Sequence, residues 1–293
     1  MLQLSLFDLI VFVDDSGSMN EGTKWADCAA IVTQIVELTT LFDTDGIQVE
    51  FMNNDVSQHG VASAEMCQSL FDSIRPAGYT PLSYSCERKI IDPFFVKCSK
   101  CSKADVKPII VYIITDGAPT TDRGLATSVP TFAMLKRIDE SLTRLGLPRK
   151  TVGINVTQIG FDEGATQFLQ QLDDHPLFGD RVDCVSDYEQ EMVQCEKQGV
   201  YLTPDMYVVK LLVGAVDATY DCKDDDGSAQ PQAKGGGNAP RLMQGTVKPG
   251  SLSRGGSSAD AHHVHEFSDN SDEEEEPLTA EQQLRRRLGQ LGN

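Results

Sequence analysis

Basic residues are scarce. The 293-residue chain carries 25 Lys and Arg against 44 Asp and Glu, a net charge of −19. The deficit runs the length of the chain: residues 1–220 hold 31 acidic and 17 basic side chains (−14), and residues 221–293 hold 13 and 8 (−5). Without a basic face to displace counterions, nucleic acid is not an expected partner, and an anionic membrane surface is disfavoured for the same reason. Long apolar runs are also missing. The longest, around Ile109 to Ile114, has strand length, far short of the roughly 20 residues a membrane span takes. No basic segment precedes the first apolar run, which ends in a polar loop rather than a cleavage site, so no secretory signal is expected. G-x-S-x-G, H-E-x-x-H, G-x-x-x-x-G-K-[ST] and G-x-G-x-x-G are absent, which removes support for several common catalytic frameworks. No internal repeat is visible.

An intracellular, cytoplasmic protein is the expectation, and the eight cysteines agree with it. Cys28, Cys67, Cys86 and Cys195 lie in helix-like segments and Cys184 in a strand-like one, which suits buried thiols better than a disulfide framework. At 40% hydrophobic residues the chain can form a sizeable core.

The chain is organised around Leu6 to Met19. Leu9-Ile10-Val11-Phe12-Val13 reads as a strand buried on both faces, and Asp14-Asp15-Ser16-Gly17-Ser18-Met19 must lie at its end. Open α/β sheets bind ligands at that end. In Asp14-x-Ser16-x-Ser18 an acidic oxygen is followed by two hydroxyls at steps of two, with Gly17 to let the backbone bend. Asp15 does not start such a pattern and reads as a solvated loop residue. Alone, the pattern reads equally well as a helix-capping loop.

Asp14-x-Ser16-x-Ser18 resembles the first element of the metal-ion-dependent adhesion site of von Willebrand factor A domains. That family also has a threonine in a later loop and an aspartate after a later buried strand. Gly78-Tyr79-Thr80-Pro81-Leu82 and Ile109-Ile110-Val111-Tyr112-Ile113-Ile114-Thr115-Asp116-Gly117 supply them in that order. Gln158-Ile159-Gly160 and Phe168-Leu169-x-x-Leu172-Asp173-Asp174 resemble the stand-alone intracellular A domains common in fungi. The resemblance implies a Rossmann-like, doubly wound, mostly parallel sheet with helices on both faces. It also implies a Mg²⁺ or Mn²⁺ ion held by Asp14, Ser16, Ser18, Thr80 and Asp116, and a protein ligand presenting an Asp or Glu carboxylate. Mg²⁺ takes oxygen ligands and only one or two protein carboxylates, so this donor inventory suits it.

The expected function is therefore a non-enzymatic interaction module. Two alternatives stay open: a metal-dependent phosphohydrolase, which also places an aspartate after the first strand, and a scaffold with a vestigial site. Against the first, the position two residues beyond Asp14 is Ser16 rather than a second acid. Cys98-x-x-Cys101 has no second pair at zinc-ribbon spacing, and His262-His263-x-His265 sits in a polar tail.

The remaining pattern alternates helix and strand over about 220 residues, as a doubly wound sheet requires. Thr23 is placed to cap a helix from Lys24 to Phe42, and Ile47, Val49 and Phe51 alternate as a strand. A short antiparallel edge strand is expected near Gly60 to Ala62, and a helix over Glu65 to Ile74. Pro81 opens a helix towards Ile91, which Pro93 kinks or restarts. Further helices are expected over Thr131 to Leu145, Asp162 to Leu172 and Pro204 to Tyr220, with strands over Val152 to Ile159 and Arg181 to Val185. Three segments result: a domain over 1–220, a Gly/Ser/acidic linker over 221–276 too poor in apolar residues to order itself, and an amphipathic helix over 277–293. Ser268 and Ser271 resemble acidic-directed kinase sites. The run Asp272 to Glu276, on a linker spanning roughly 40 Å, is placed to compete internally for the metal.

Overall fold

Two runs in which every residue is buried, Leu9 to Val13 and Ile109 to Thr115, form the centre of a six-stranded sheet. Such runs need helices on both faces. The computed structural model describes residues 4–121, 123–178 and 182–214. Its strands are β1 (Asp8–Val13), β2 (Ile47–Phe51), β3 (Ser57–Val61), β4 (Ile109–Thr115), β5 (Val152–Gln158) and β6 (Val182–Val185), in the order β3-β2-β1-β4-β5-β6. All pairings are parallel except β2 with β3.

Side-chain alternation along the strands sorts the core into two layers. Leu9, Val11, Val13, Ile110, Tyr112 and Ile114 face α1 (Lys24–Thr39), α2 (Ala64–Ser73), and two helices placed below as α7 and α8. Ile10, Phe12, Val111, Ile113, Ile154 and Val156 face the other layer. That layer begins with α3 (Leu82–Cys86), which runs through a π-helical stretch, Glu87–Ile91, into α4 (Asp92–Cys98). It is completed by α5 (Val129–Leu145) and α6 (Glu163–Asp173). The sheet is thus a doubly wound, Rossmann-like one.

Several local expectations change. Thr23 precedes α1, but its hydroxyl donates to Asp27 Oδ2 at 2.7 Å and no side-chain cap forms. The helix ends at Thr39, where Thr39 and Thr40 turn their hydroxyls onto backbone carbonyls. The edge strand starts three residues earlier than expected, at Ser57. Pro93 falls in the first turn of α4, where the α-helix restarts after the π-helical stretch. Pro130 falls in the first turn of α5, where its missing N–H costs nothing, so the helix starts at Val129.

The helix-like segment around Cys195, for which the pattern gives no bounds, is α7 (Tyr188–Lys197), and α8 (Pro204–Gly214) follows it. Glu191 of α7 and Lys210 of α8 form a buried ion pair at 2.6 Å that joins the two helices. Arg181, the part of the last expected helix beyond Gly214, the expected linker with its His262 to His265 cluster and acidic run, and the helix expected over 277–293 all lie outside the described residues. Among the described residues no helix is long and apolar enough to cross a membrane, and the seven described cysteines are all free thiols.

Candidate metal site

The winding of the sheet reverses between β1 and β4. From β1 the chain proceeds outward to β2 and β3, and from β4 it proceeds the other way to β5 and β6. A crevice opens at the carboxyl ends of the strands at such a switch point. The register puts the candidate residues there: Val13 pairs with Ile114, and the Asp14 amide continues the ladder onto the Ile114 carbonyl at 2.8 Å. Asp14 and Asp116 arrive at one place because two parallel strands end together.

Four of the five expected residues form one hydrogen-bonded cluster. Asp14 Oδ1 accepts the Ser16 amide at 2.9 Å, the Ser16 and Ser18 hydroxyls lie 3.1 Å apart, and Ser18 Oγ donates to Asp116 Oδ1 at 2.8 Å. Thr80 comes from a neighbouring loop stitched to the first. Gly17 N donates to the Gly78 carbonyl at 3.1 Å, Ala77 N to the Asp15 carbonyl at 2.7 Å, and Asn20 Nδ2 to the Pro76 carbonyl at 2.7 Å. Thr80 is itself buried and exchanges hydrogen bonds with Thr120, donating from its amide to Thr120 Oγ1 at 3.0 Å and accepting from the Thr120 amide at 2.8 Å. The loops after β1 and β4 thus bring four of the expected residues together, and Thr80 lies in a loop hydrogen-bonded to the first of them without a direct bond to the cluster.

The electrostatics are uneven. Asp14 is wholly buried, and among the described residues it forms no ion pair. Burial is the main force on its carboxyl, assisted by the charge of Asp116. Hydrogen bonds from Thr115 and Ser16 oppose it, and the result is a pKa pushed up to about 6. Asp116 is equally buried but paired: Lys24 Nζ stands 2.8 Å from Oδ2. Partial burial pulls the Lys24 ammonium down, and its bonds and attraction to Asp116 and Glu21 more than reverse this, leaving it raised.

Three residues of the site escape a reading by pattern. Thr115 donates to Asp14 Oδ2 at 2.6 Å and completes the polar shell of that carboxylate. Asp15, expected to be solvated, is buried, and its two oxygens accept the Asn53 amide at 2.6 Å and the Asn54 amide at 2.9 Å, tying the loop to the end of β2. Lys24 is the third. The only signals for them are position: Thr115 next to Asp116, Asp15 next to Asp14, and Lys24 at the start of the helix leaving the loop.

Among the described residues no cluster of three or more His, Cys, Asp or Glu side chains is arranged to hold a metal. An ion here would take two carboxylates and complete its shell with hydroxyls and water, a donor set that suits Mg²⁺ or Mn²⁺ and not the softer transition metals. The surroundings are partly apolar. Tyr79, beside Thr80, is 55% exposed; Leu125, in the loop after Asp116, is 70% exposed; and Phe161, next to the glycine that touches Lys24, is 77% exposed.

No protein-family profile matches the chain, and no curated protein matches it. Solved structures resemble it at low identity. The manganese-loaded TRAP protein of Plasmodium vivax aligns at 12% identity over 68% of this chain and 75% of its own, with a TM-score of 0.40. The open form of the pilus adhesin SpaC of Lactobacillus rhamnosus GG aligns at 12% over 70% of this chain and 30% of its own, with a TM-score of 0.42. The human COPII-coat protein Sec24c aligns at 10% over 71% of this chain and 32% of its own, with a TM-score of 0.35. Likeness of this degree carries no argument about function.

Proposed function

We propose that this chain is a non-enzymatic interaction module of the von Willebrand factor A type that binds acidic groups of partner proteins through a Mg²⁺ or Mn²⁺ ion. The observation that carries the reading is Asp14: a carboxylate buried at the switch point of the sheet, without an ion pair among the described residues, and bounded by Ser16, Ser18 and Asp116. Burying a carboxylate without a counter-charge is costly, and a cation removes the cost. The donor chemistry fits. Asp14 and Asp116 supply charge, Ser16, Ser18 and Thr80 supply neutral oxygens, and Thr115 fixes the orientation of Asp14.

A bound divalent ion would supply a Lewis-acidic centre with unspent positive charge, which attracts a further carboxylate. The chain's own part is to hold Asp14 and the hydroxyls in place and to present Tyr79, Leu125 and Phe161 to whatever flanks that carboxylate. A partner segment with an Asp or Glu next to apolar side chains matches this surface. Calorimetric titration of the full chain with Mn²⁺ is the test. One ion per chain is expected, with loss of binding in Asp14→Ala. Equal binding by the variant would refute the reading. For the partner, capture in Mg²⁺ that disappears both in EDTA and with Asp14→Ala is expected.

A further inference from the structure

Lys24 is the first residue of α1, where the helix dipole presents its positive end and a cation is disfavoured. Its stem runs past Gly160, whose φ of +66° is what favours glycine there; a Cβ at that position would meet Lys24 Cε at 3.4 Å and Cγ at 3.6 Å, ordinary contact distances. From there the ammonium reaches two carboxylates at once. Asp116 Oδ2, buried at the site, is 2.8 Å away, and Glu21 Oε2, on a side chain that is 73% exposed, is 3.2 Å away.

We propose that Lys24 is an internal cation that holds Asp116 while no divalent ion is bound, competes with that ion for Asp116, and passes to Glu21 when the ion takes its place. The proposal rests on the metal reading above and adds a device to it. An ammonium 2.8 Å from Asp116 cannot stay beside a divalent ion on the same carboxylate without strong like-charge repulsion. Glu21, already 3.2 Å from the same ammonium, keeps an ion pair with it once Asp116 is given up. Binding therefore exchanges one cation for another at Asp116, while Asp14, which has no such partner among the described residues, is the group the divalent ion newly compensates. The site then binds its ion more weakly than its oxygens alone would allow, so occupancy responds to the supply of metal and of acidic partner.

The full chain, with Lys24→Met and Lys24→Arg, is titrated with Mn²⁺ by calorimetry, and each protein is also melted in EDTA. Methionine keeps the length of the stem and removes the charge. Lys24→Met is expected to bind Mn²⁺ about tenfold more tightly than wild type, equivalent to about 1.4 kcal/mol, and to melt at a lower temperature in EDTA, while Lys24→Arg stays near wild type in both. Should the methionine variant fail to fold, Lys24→Gln makes the same comparison. Wild-type binding with no gain on removing the charge overturns the competition and leaves the metal site standing. Absence of Mn²⁺ binding in wild type and variants alike overturns the site and the competition together. Glu21→Gln tests the exchange separately: the loss of an exposed partner is expected to weaken Mn²⁺ binding about twofold, and unchanged affinity refutes the handover.

Discussion

Replacing Asp14 with Asn should make the metal-free protein more stable, not less. Asp14 is fully buried, and its carboxyl is pushed from 3.8 up to about 6, chiefly by loss of hydration. A displacement of this size means that ionised Asp14 costs the folded state roughly 3 kcal/mol at neutral pH, at about 1.4 kcal/mol per unit. Asparagine has nearly the same shape and no charge. Its oxygen can keep accepting the Ser16 amide, and its NH₂ can donate to Thr115 Oγ1, whose own hydrogen then turns to the Gly117 carbonyl 3.2 Å away. Imperfect replacement of these bonds reduces the gain, so about 1–2 kcal/mol is expected, or a rise of several degrees in melting temperature for a domain of this size. Differential scanning calorimetry in EDTA at pH 7.5 measures it. In saturating Mg²⁺ the order should reverse, because only wild type gains the free energy of ion binding. A variant less stable than wild type in EDTA, or equally stabilised by Mg²⁺, would refute the view of Asp14 as a buried charge awaiting a cation.

Other expectations follow from the same contacts. Since the folded carboxyl of Asp14 is raised, its protonated form contributes stability that is present below pH 4 and is lost as pH rises to about 6 in metal-free protein, as urea melts across that window should show. Ion binding has the opposite dependence: a proton competes for Asp14, so Mn²⁺ affinity should fall about tenfold per unit as pH drops below 6. Thr115→Val removes a 2.6 Å hydrogen bond to the ionised form and should cost about 1.5–3 kcal/mol at pH 7.5 but much less at pH 5. A loss independent of pH would assign Thr115 to packing alone. Asp15→Ala leaves the Asn53 and Asn54 amides without their carboxylate and should cost about 2–4 kcal/mol in thermal or urea melts. A cost under 1 kcal/mol would mean that water replaces Asp15.

The parts of the fold that could be read in advance are those where one residue type dominates a stretch. β1 and β4 are unbroken apolar runs, and α1 shows its stripe through Cys28, Val32, Ile35 and Val36. The clustering of Asp14, Ser16, Ser18 and Asp116 could be read in advance because they follow the ends of two strands, positions that a parallel sheet brings together whatever the intervening chain does. What stayed hidden depends on register and partners. The segment around Cys195 reads as helix-like, but α7 buries only Glu191 and Cys195, so no apolar stripe marks its bounds, and its place depends on a lysine in α8. β3 pairs at an edge with three of its five residues exposed, which left its start indistinct. Asp15 looks like a loop acid until β2 supplies two amides. Lys24 and Asp116 are 92 positions apart, and only the ends of β1 and β4 together make them neighbours.

The most direct measurement is anomalous diffraction from crystals of the protein grown with Mn²⁺. A single strong peak is expected among Asp14, Ser16, Ser18, Thr80 and Asp116, with Lys24 moved from Asp116 towards Glu21. Full-occupancy Mn²⁺ elsewhere on the molecule, with Asp14 left bare and Lys24 still on Asp116, would contradict it.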